Sequence, residues 1–247
     1  MLLALALCAA APLAAGGPAF DHSAFDRLLK AHVTADGGVD YDAFGRAPAF
    51  PLYLDQLARA TPEKLSREEQ LAFWINVYNA YTIQLLNAHG ERKSIRNINK
   101  TLGVIKAMGP WKEEIVRAGG RTLSLDFVEH EIIRKRFREP RIHFALVCAA
   151  RSCPPLRREA YTGARLEAQL EEQARIFIAR SPGRNRIDVA AGVAHLSPIF
   201  VWFKDDFGAD LGKFLARYVD DPAARALLES GKFKLVETEY DWSLNAK

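Results

Sequence analysis

Apolar residues occur in blocks along the chain, and their spacing predicts helices for most of its length with short strands between them. The densest block, residues 71–86, has apolar side chains on every side of a helix. A helix that is apolar all round lies buried at the centre of a fold. Ser66 and Glu69 form a capping-box pattern before this block, and His89-Gly90 follows it. The pattern therefore predicts a central buried helix that ends at Ala88.

Shorter elements are predicted on both sides of this helix. A second capping-box pattern, Asp126 with Glu129, predicts the start of a helix that reaches about Phe137. Residues 37–38 and Tyr41 are interpreted as a connector. The remaining predicted elements are helices at 21–32, 166–179, 197–207, 209–219 and 222–230, hairpins pairing 114–116 with 122–125 and 186–189 with 193–196, and a strand at 233–238. Short hairpins beside helices indicate one α+β domain over residues 18–247, with a small sheet.

The run from Ile142 to Ala149 is short and almost continuously apolar, which predicts a buried strand. The paired prolines Pro154-Pro155 indicate a loop after it, because proline interrupts the hydrogen bonds of both helices and strands. In such a strand Cys148 is the last side chain before the loop, and His143 points to the opposite face. The pattern thus predicts a thiol at the mouth of a buried strand.

The first twenty residues contain no charged side chain. The apolar stretch Leu2–Ala11, followed by small residues, is typical of a secretory signal peptide at 1–17, although the usual basic start is missing. The stretch is too short to span a bilayer stably. We therefore expect an exported, periplasmic protein with no integral membrane span after cleavage, in which Cys148 and Cys153 remain and Cys8 is removed.

Composition and motifs exclude several classes of protein. The chain has 247 residues, of which 49% are hydrophobic, so it can bury a sizeable core and is not disordered. Three cysteines are too few for a disulfide scaffold. The net charge of +4 selects no partner, and the basic run 134–136 lacks the interleaved aromatic residues of a nucleic-acid surface. Neither metal-ligand spacing nor a phosphate-binding glycine loop occurs, so we expect no metal and no cofactor.

Cys148 is the main candidate for chemistry. A thiol becomes a nucleophile where an imidazole or a helix N-terminus lowers its pKa, whereas a buried cysteine is otherwise a small core residue. His130 could act as the base if its helix packs over the strand end, or could be a core histidine bonded to backbone. Glu129 is adjacent to His130, and neighbouring residues on a helix do not face each other. Cys153 could instead pair with Cys148, which requires Cα atoms within about 7 Å.

Asn76 and Asn79 lie three residues apart and therefore on one side of the central helix. Buried amides of this kind can hold a loop backbone, orient a histidine or donate to an oxyanion. The turn that contains Arg151 and Ser152 offers backbone N–H groups for the same purpose. We include these four residues, with Cys153, among the candidate substrate-binding residues.

Several segments resemble the domain of unknown function family numbered 547. The resembling segments are LAFWINVYNA at 71–80, the helix start at 123–130 with Glu129-His130, RIHFALVC at 141–148, SCPPL at 152–156, and the later segments 197–207 and 240–245. The resemblance implies a site similar to those of papain-like and transglutaminase-like thiol enzymes. It implies Cys148 as nucleophile, His130 as base, Glu129 as the orienting acid and a glutathione-like ligand. Because Glu129 and His130 are neighbours on a helix, Glu69 at the start of the buried helix is the substitute for Glu129.

The leading hypothesis is therefore a cysteine–histidine thiol site that performs acyl transfer or amide hydrolysis on a peptide-like or glutathione-like substrate. Two alternatives remain open. One is an envelope protein that binds a small peptide or thiol ligand without turnover. The other is a redox element formed by a Cys148–Cys153 disulfide. The sequence indicates neither the substrate nor the oligomeric state.

Overall fold

The computed structural model describes residues 18–99 and 109–247, so the predicted signal peptide at 1–17 lies outside the described residues. Nine helices within these ranges are labelled α1 to α9. They are α1 Ser23–His32, α2 Tyr41–Arg46, α3 Ala49–Arg59, α4 Arg67–Ala88, α5 at 125–137, α6 Leu166–Ala179, α7 Ile199–Trp202, α8 Leu211–Ala216 and α9 Pro222–Ser230. No helix in the described part of the chain is both long enough and apolar enough to cross a membrane.

Helix α4 is the centre of the fold, as the hydrophobic pattern predicts, and it is buried along most of its length. The Ser66 hydroxyl accepts a hydrogen bond from the Glu69 N–H, which caps the first turn. The Glu69 carboxylate does not bond back to the cap residue. It accepts a hydrogen bond from the Gly163 N–H at 2.9 Å. Glu69 thus ties the start of α4 to the loop before α6 and does not take the place of Glu129 at a thiol site.

The interpretation of Tyr41 as part of a connector is wrong. Tyr41 begins α2, which is capped by the Asp40 side chain through the Ala43 N–H at 2.9 Å. Its ring is buried and its hydroxyl donates to the side chain of Asn245 near the end of the chain. An Asx cap before a short helix is a weak local pattern, and the burial of Tyr41 depends on distant residues.

Helix α5 begins earlier than the capping-box pattern predicts. Its cap is Ser124, whose hydroxyl accepts from the Phe127 N–H at 3.1 Å, so Asp126 lies inside the first turn. The helix is α-helical over Leu125–Phe127, π-helical over Val128–Arg134 and α-helical again over Lys135–Phe137. A π-helical turn inside an α-helix is rare and often lies at a functional site.

The predicted strand at 142–149 is wrong. Residues Pro140–Phe144 form a 3-10 helix, and an irregular segment continues from there to Ala149, which has a left-handed φ of 65°. An apolar run alone does not distinguish a strand from another buried segment. Here Asn79 of α4 accepts from the Val147 N–H and donates to the Ala145 carbonyl oxygen, both at 2.9 Å, and so provides the partners that a neighbouring strand would have provided.

The predicted hairpins and the final strand are confirmed. The five strands are β1 Val116–Ala118, β2 Arg121–Leu123, β3 Arg186–Asp188, β4 Val193–Leu196 and β5 Lys234–Glu237. Strands β1 and β2 pair antiparallel, whereas β4 lies between antiparallel β3 and parallel β5. With helices around two small sheets, the fold is α+β, as predicted.

The chain after β5 returns to the loop that holds the two cysteines. The Arg151 N–H donates to the Ser243 carbonyl at 2.8 Å, and the Asn245 N–H donates to the Ala149 carbonyl at 3.0 Å. The Asp241 N–H donates to the Ser152 hydroxyl at 2.8 Å. We call residues 240–247 the C-terminal segment; it forms one side of the candidate site.

Candidate functional site

Cys148 and Cys153 form a disulfide, with Cα atoms 6.3 Å apart. The two sulfurs differ in surroundings, because Cys148 is half-buried whereas Cys153 is 2% exposed. The bond closes the loop that follows the irregular segment 145–149. The requirement that the two Cα atoms lie within about 7 Å is met.

Two donors contact the disulfide. The Cys148 backbone N–H donates to the Cys153 sulfur at 3.1 Å. The Tyr240 hydroxyl of the C-terminal segment lies 3.4 Å from the Cys148 sulfur and 3.3 Å from the Cys153 sulfur. Burial raises the pKa of Tyr240, so this hydroxyl keeps its proton at neutral pH and remains a donor. Among the described atoms that hydrogen-bond either sulfur, none belongs to an imidazole.

Both cysteines line a pocket of about 230 Å³. Most of its wall is aromatic and apolar, and its polar side chains come chiefly from α5. The residues that line it are Tyr78, Trp111, Asp126, Glu129, His130, His143, Leu146, Cys148, Cys153, Pro154, Ile199, Trp202, Phe203, Tyr240 and Trp242. The structure thus brings the predicted residues Cys148, Cys153, His130 and Glu129 to one cavity.

The polar side chains of α5 reach the pocket because Glu129 and His130 follow Asp126 by three and four residues, so each lies on the side of the helix that Asp126 occupies. Glu129 and His130 do not pair with each other. Glu129 lines the pocket together with Tyr78 and Tyr240. Burial raises the pKa of both tyrosines and the charge of Glu129 adds to both shifts, whereas the charge of Arg184 opposes the shift of Tyr240.

His130 makes its contacts away from the sulfurs. Its Nδ1 lies 3.0 Å from an Arg134 guanidinium nitrogen, and its Nε2 lies 3.7 Å from the Asp126 carboxylate. Because arginine is always a donor, Nδ1 is the acceptor and the imidazole proton sits on Nε2. The lone pair that a general base needs is thus engaged by a cation. This geometry does not form a Cys148–His130 dyad.

A charged network continues from His130 into the wall of the pocket. Arg134 donates twice to Asp206, at 2.6 and 3.0 Å, and the same carboxylate contacts His143 Nε2 at 2.7 Å. The hydrogen bond to His143 holds the pKa of Asp206 well below its usual range, and Arg134 adds to this effect. The His143 ring stacks on Phe203, with centroids 4.0 Å apart. The network fixes this wall and neutralises the charge of Arg134.

The amides of Asn76 and Asn79 are occupied by backbone groups. Asn76 donates to the Tyr161 carbonyl at 2.8 Å and accepts from the Tyr161 N–H at 3.0 Å. Asn79 holds residues 145–147 in the same manner, as described above. Neither side chain lines the pocket, and both hold loops against α4, which is the loop-holding role that the sequence allowed for them.

Arg151 and Ser152 face the C-terminal segment. Ser152 exchanges hydrogen bonds with Asp241, and Arg151 lines a neighbouring cavity of about 170 Å³ together with Arg184. Cys153 and Pro154 line both this cavity and the aromatic pocket, and so form the partition between them. Arg151 and Ser152 therefore lie next to the pocket without lining it.

Sequence reasoning missed the aromatic residues of the site. Tyr240, Trp242 and Trp202 come from the C-terminal segment and from α7, and their rings lie 4.6 to 5.9 Å from one another. In the sequence, the motif at 240–242 is distinguished only by its resemblance to the family. Trp202 is 48% exposed and lines the pocket beside the two cysteines, and neither fact is visible in the sequence.

Residues 62–178 match the family model described as "Protein of unknown function, DUF547". The matched region includes α4, α5 and both cysteines; the resembling segments at 197–207 and 240–245 lie beyond it. No curated protein and no solved structure gives a significant match to the chain. Within residues 18–99 and 109–247, no three His, Cys, Asp or Glu side chains are grouped so as to hold a metal ion.

Proposed function

We propose that this protein, which matches the DUF547 family model over residues 62–178, exchanges disulfides with a small thiol ligand. Cys148 and Cys153 are the redox pair, and the aromatic pocket receives the ligand. The observation that carries the proposal is that both sulfurs line one pocket, bonded to each other and contacted by the Tyr240 hydroxyl.

The difference in burial assigns a role to each sulfur. A ligand thiolate attacks the half-buried Cys148 sulfur, forms a ligand–Cys148 disulfide and breaks the Cys148–Cys153 bond. Cys153 leaves with the electron pair as a thiolate. Its two neighbours, the Cys148 N–H and the Tyr240 hydroxyl, are donors that stabilise this negative charge. A leaving thiolate of lower pKa departs faster, so this arrangement favours attack at Cys148.

A second ligand thiolate completes the exchange. It attacks the ligand sulfur of the mixed disulfide and releases Cys148 as a thiolate, and the product is a ligand–ligand disulfide. Two ligand thiols are thereby oxidised and the Cys148–Cys153 disulfide is reduced to a dithiol, which takes up two protons. The same steps in reverse reoxidise the protein at the expense of a ligand disulfide.

Export is part of the proposal. Disulfides persist in oxidising compartments and are rare in the cytosol. The apolar N-terminal stretch supports a periplasmic location, where a Cys148–Cys153 bond would form and exchange.

Acyl transfer by the reduced protein is a second candidate. Its support is that Cys148, His130 and Glu129 line the same pocket. It requires that His130 leave Arg134 and turn toward a free Cys148 thiol. Alkylation of reduced protein separates the candidates: an imidazole-activated thiolate reacts nearly as fast at pH 6 as at pH 7.5, whereas an ordinary thiol slows by more than tenfold.

The exchange reaction is tested with single-cysteine variants on a Cys8→Ser background. Cys153→Ser leaves Cys148, which should form a mixed disulfide with oxidised 2-mercaptoethanol at least tenfold faster than Cys153 does in Cys148→Ser. Mass spectrometry of the intact protein measures both rates. Thiol counting on the denatured two-cysteine protein, purified without reductant, should give no free thiol before reduction and two afterwards.

Two results would contradict the proposal. One is equal reactivity of Cys148 and Cys153 in folded variants, and the other is a disulfide that resists small thiols until the protein unfolds. Circular dichroism and the thermal midpoint of each variant establish that it is folded.

A further inference from the structure

The pocket beside the disulfide is an aromatic enclosure. We call Trp111, Trp202, Tyr240 and Trp242 the aromatic wall. Trp111 and Trp202 each lie 5.9 Å from Trp242, and Tyr240 lies 4.6 Å from Trp242 and 4.8 Å from Trp202. The faces of such rings carry negative potential and attract cations within about 6 Å of their centres. Arg96, outside the pocket, already lies 5.1 Å from the centre of the Trp242 ring.

Negative charge faces this wall. Asp126 and Glu129 line the pocket, and no lysine or arginine is among the described residues that line it. Two arginines lie near it. Arg134 is paired with Asp206 through two hydrogen bonds, and Arg184, whose charge acts on Tyr240, lines the neighbouring cavity behind Cys153 and Pro154. Glu129 has no cationic partner within 4.0 Å in the part of the chain that the structure describes. The pocket thus presents carboxylates and ring faces together.

Glu129 is close to the reacting atoms. It lines the same pocket as both cysteines and Tyr240, whose hydroxyl contacts both sulfurs. The carboxylate and the disulfide therefore share the Tyr240 phenol as a neighbour. A molecule that brings a thiol to Cys148 brings the atoms next to that thiol to Glu129.

We infer that the ligand is a small thiol carrying a positive charge, such as an aminothiol whose ammonium group lies between Glu129 and the aromatic wall. This inference rests on the proposed exchange and names its substrate class. An ammonium group gains attraction from the carboxylates and from the ring faces. A carboxylate-bearing thiol of the same size meets like charge at the same place, and its thiolate approaches more slowly. The glutathione-like ligand implied by family resemblance fits only if its amino group takes this position.

Three thiols of matched size test the charge preference. Cysteamine is cationic, 2-mercaptoethanol is neutral and 3-mercaptopropionate is anionic. The second-order rate constants for reduction of the Cys148–Cys153 disulfide are measured at 50 mM salt and corrected for the thiolate fraction of each reagent. We expect cysteamine to react at least tenfold faster than 3-mercaptopropionate, with 2-mercaptoethanol between them.

Glu129→Gln provides the decisive variant and Glu131→Gln its matched control. Both remove one negative charge from the same helix, but Glu131 is an exposed residue paired with Lys135. The ratio between cysteamine and 3-mercaptopropionate should fall to threefold or less in Glu129→Gln and stay within twofold of its original value in Glu131→Gln. Equal rates for the three thiols, or equal effects of the two variants, would overturn the inference.

A probe without a thiol separates failure of this inference from failure of the exchange. Choline and its neutral isostere 3,3-dimethylbutan-1-ol are titrated against tryptophan fluorescence of the oxidised protein. Choline should bind at least fivefold more tightly, and Glu129→Gln should abolish the difference. If 2-mercaptoethanol fails to reduce the disulfide, the exchange is refuted and choline alone decides whether the pocket takes cations. If 2-mercaptoethanol reacts and choline shows no preference, only the charge inference fails.

Discussion

At the scale of single residues, the two sulfurs of the disulfide share the Tyr240 hydroxyl but differ in their backbone contact. The hydroxyl contacts both sulfurs, but only Cys153 also receives a backbone N–H. Cys153 is thus the sulfur whose thiolate is better stabilised. Ala149, next to Cys148, holds a left-handed φ of 65°, a conformation that costs a non-glycine residue about 1–3 kcal/mol and persists only where the surroundings enforce it.

Removing this hydroxyl should slow the exchange. Tyr240→Phe deletes one donor to the leaving thiolate, and a hydrogen bond to a charged group contributes about 1.5–3 kcal/mol. We expect the rate of reduction by 2-mercaptoethanol to fall by about tenfold, which corresponds to about 1.4 kcal/mol. Tyr218→Phe is the control, because the Tyr218 hydroxyl is buried without a described hydrogen-bond partner. A rate unchanged in Tyr240→Phe would remove Tyr240 from the mechanism.

His22 is a second residue whose environment decides its chemistry. It is 3% exposed and its Nδ1 lies 2.7 Å from the Tyr53 hydroxyl. Burial lowers its pKa from 6.5 to about 3. At a pH between about 3 and 6.5, the unfolded chain binds a proton at His22 that the folded chain does not bind. The free energy of unfolding therefore falls as the pH falls below 6.5.

This contribution should be measurable as a pH-dependent stability. Above pH 6.5 His22 is neutral in both the folded and the unfolded chain and does not change the free energy of unfolding. Below it, the folded state loses up to about 1.4 kcal/mol per pH unit, which shifts the thermal midpoint by about 3–5 °C per unit. Wild type and His22→Asn are compared from pH 7 to 5, where the wild type should lose more. Parallel curves would show that folding does not lower the pKa of His22.

At the scale of elements, α4 organises the site through two asparagines that do not themselves line the pocket. Asn76 holds Tyr161, and Asn79 holds the segment 145–147 that leads to Cys148. Each amide satisfies one backbone donor and one backbone acceptor that have no sheet partner. An unsatisfied buried group costs about 1–3 kcal/mol, so these pairs are structural necessities.

The two asparagines should differ in their effect on exchange. Asn76→Ala and Asn79→Ala should each lower the free energy of unfolding by about 2–4 kcal/mol, measured by urea denaturation. Only Asn79→Ala loosens the segment before Cys148, so only this variant should speed reduction of the disulfide, by severalfold. If both variants changed the rate equally, the effect would be one of general stability.

The contact between α4 and the loop before α6 leaves no room for a side chain at Gly163. A Cβ atom built on Gly163 would lie 2.6 Å from Glu69 Cγ and 2.7 Å from the Glu69 backbone nitrogen. Gly163→Ala should therefore destabilise the fold by about 1–3 kcal/mol through overpacking. Gly183→Ala, where nothing lies within 4 Å, should stay within about 0.5 kcal/mol of wild type. Thermal melts compare the two, and a tolerated Gly163→Ala would mean that Glu69 moves freely.

At the scale of the whole molecule, the site is assembled from segments far apart in the chain. Helix α5 supplies Glu129 and His130, the loop after residue 147 supplies the cysteines, and the C-terminal segment supplies Tyr240 and Trp242. The family match ends at residue 178, so part of the aromatic wall lies outside it. The pocket thus combines the region matched by the family model, which holds the disulfide, with a later region that completes the aromatic wall.

Much of the secondary structure was predictable because its determinants are local. The end of α4, the bounds of α6 and both hairpins follow from side-chain periodicity, caps and glycine turns, which act over a few residues. The start of α5 was misplaced because Ser124 and Asp126 are both good caps, and the choice between them depends on packing. Gathering Glu129, His130 and Cys148 in one pocket was expected from family resemblance, but the hydrogen bonds of His130 were not.

The sequence by itself determined where helices and turns form and that a thiol lies after the apolar run 142–147. Only the tertiary structure decided what that run becomes and what the thiol does. The backbone partners of the run come from Asn79, and those of the cysteine loop come from the C-terminal segment. Hydrogen bonds between residues so distant in the chain leave no local pattern, and the disulfide, Tyr240 and the carboxylates meet only because the fold brings those segments together.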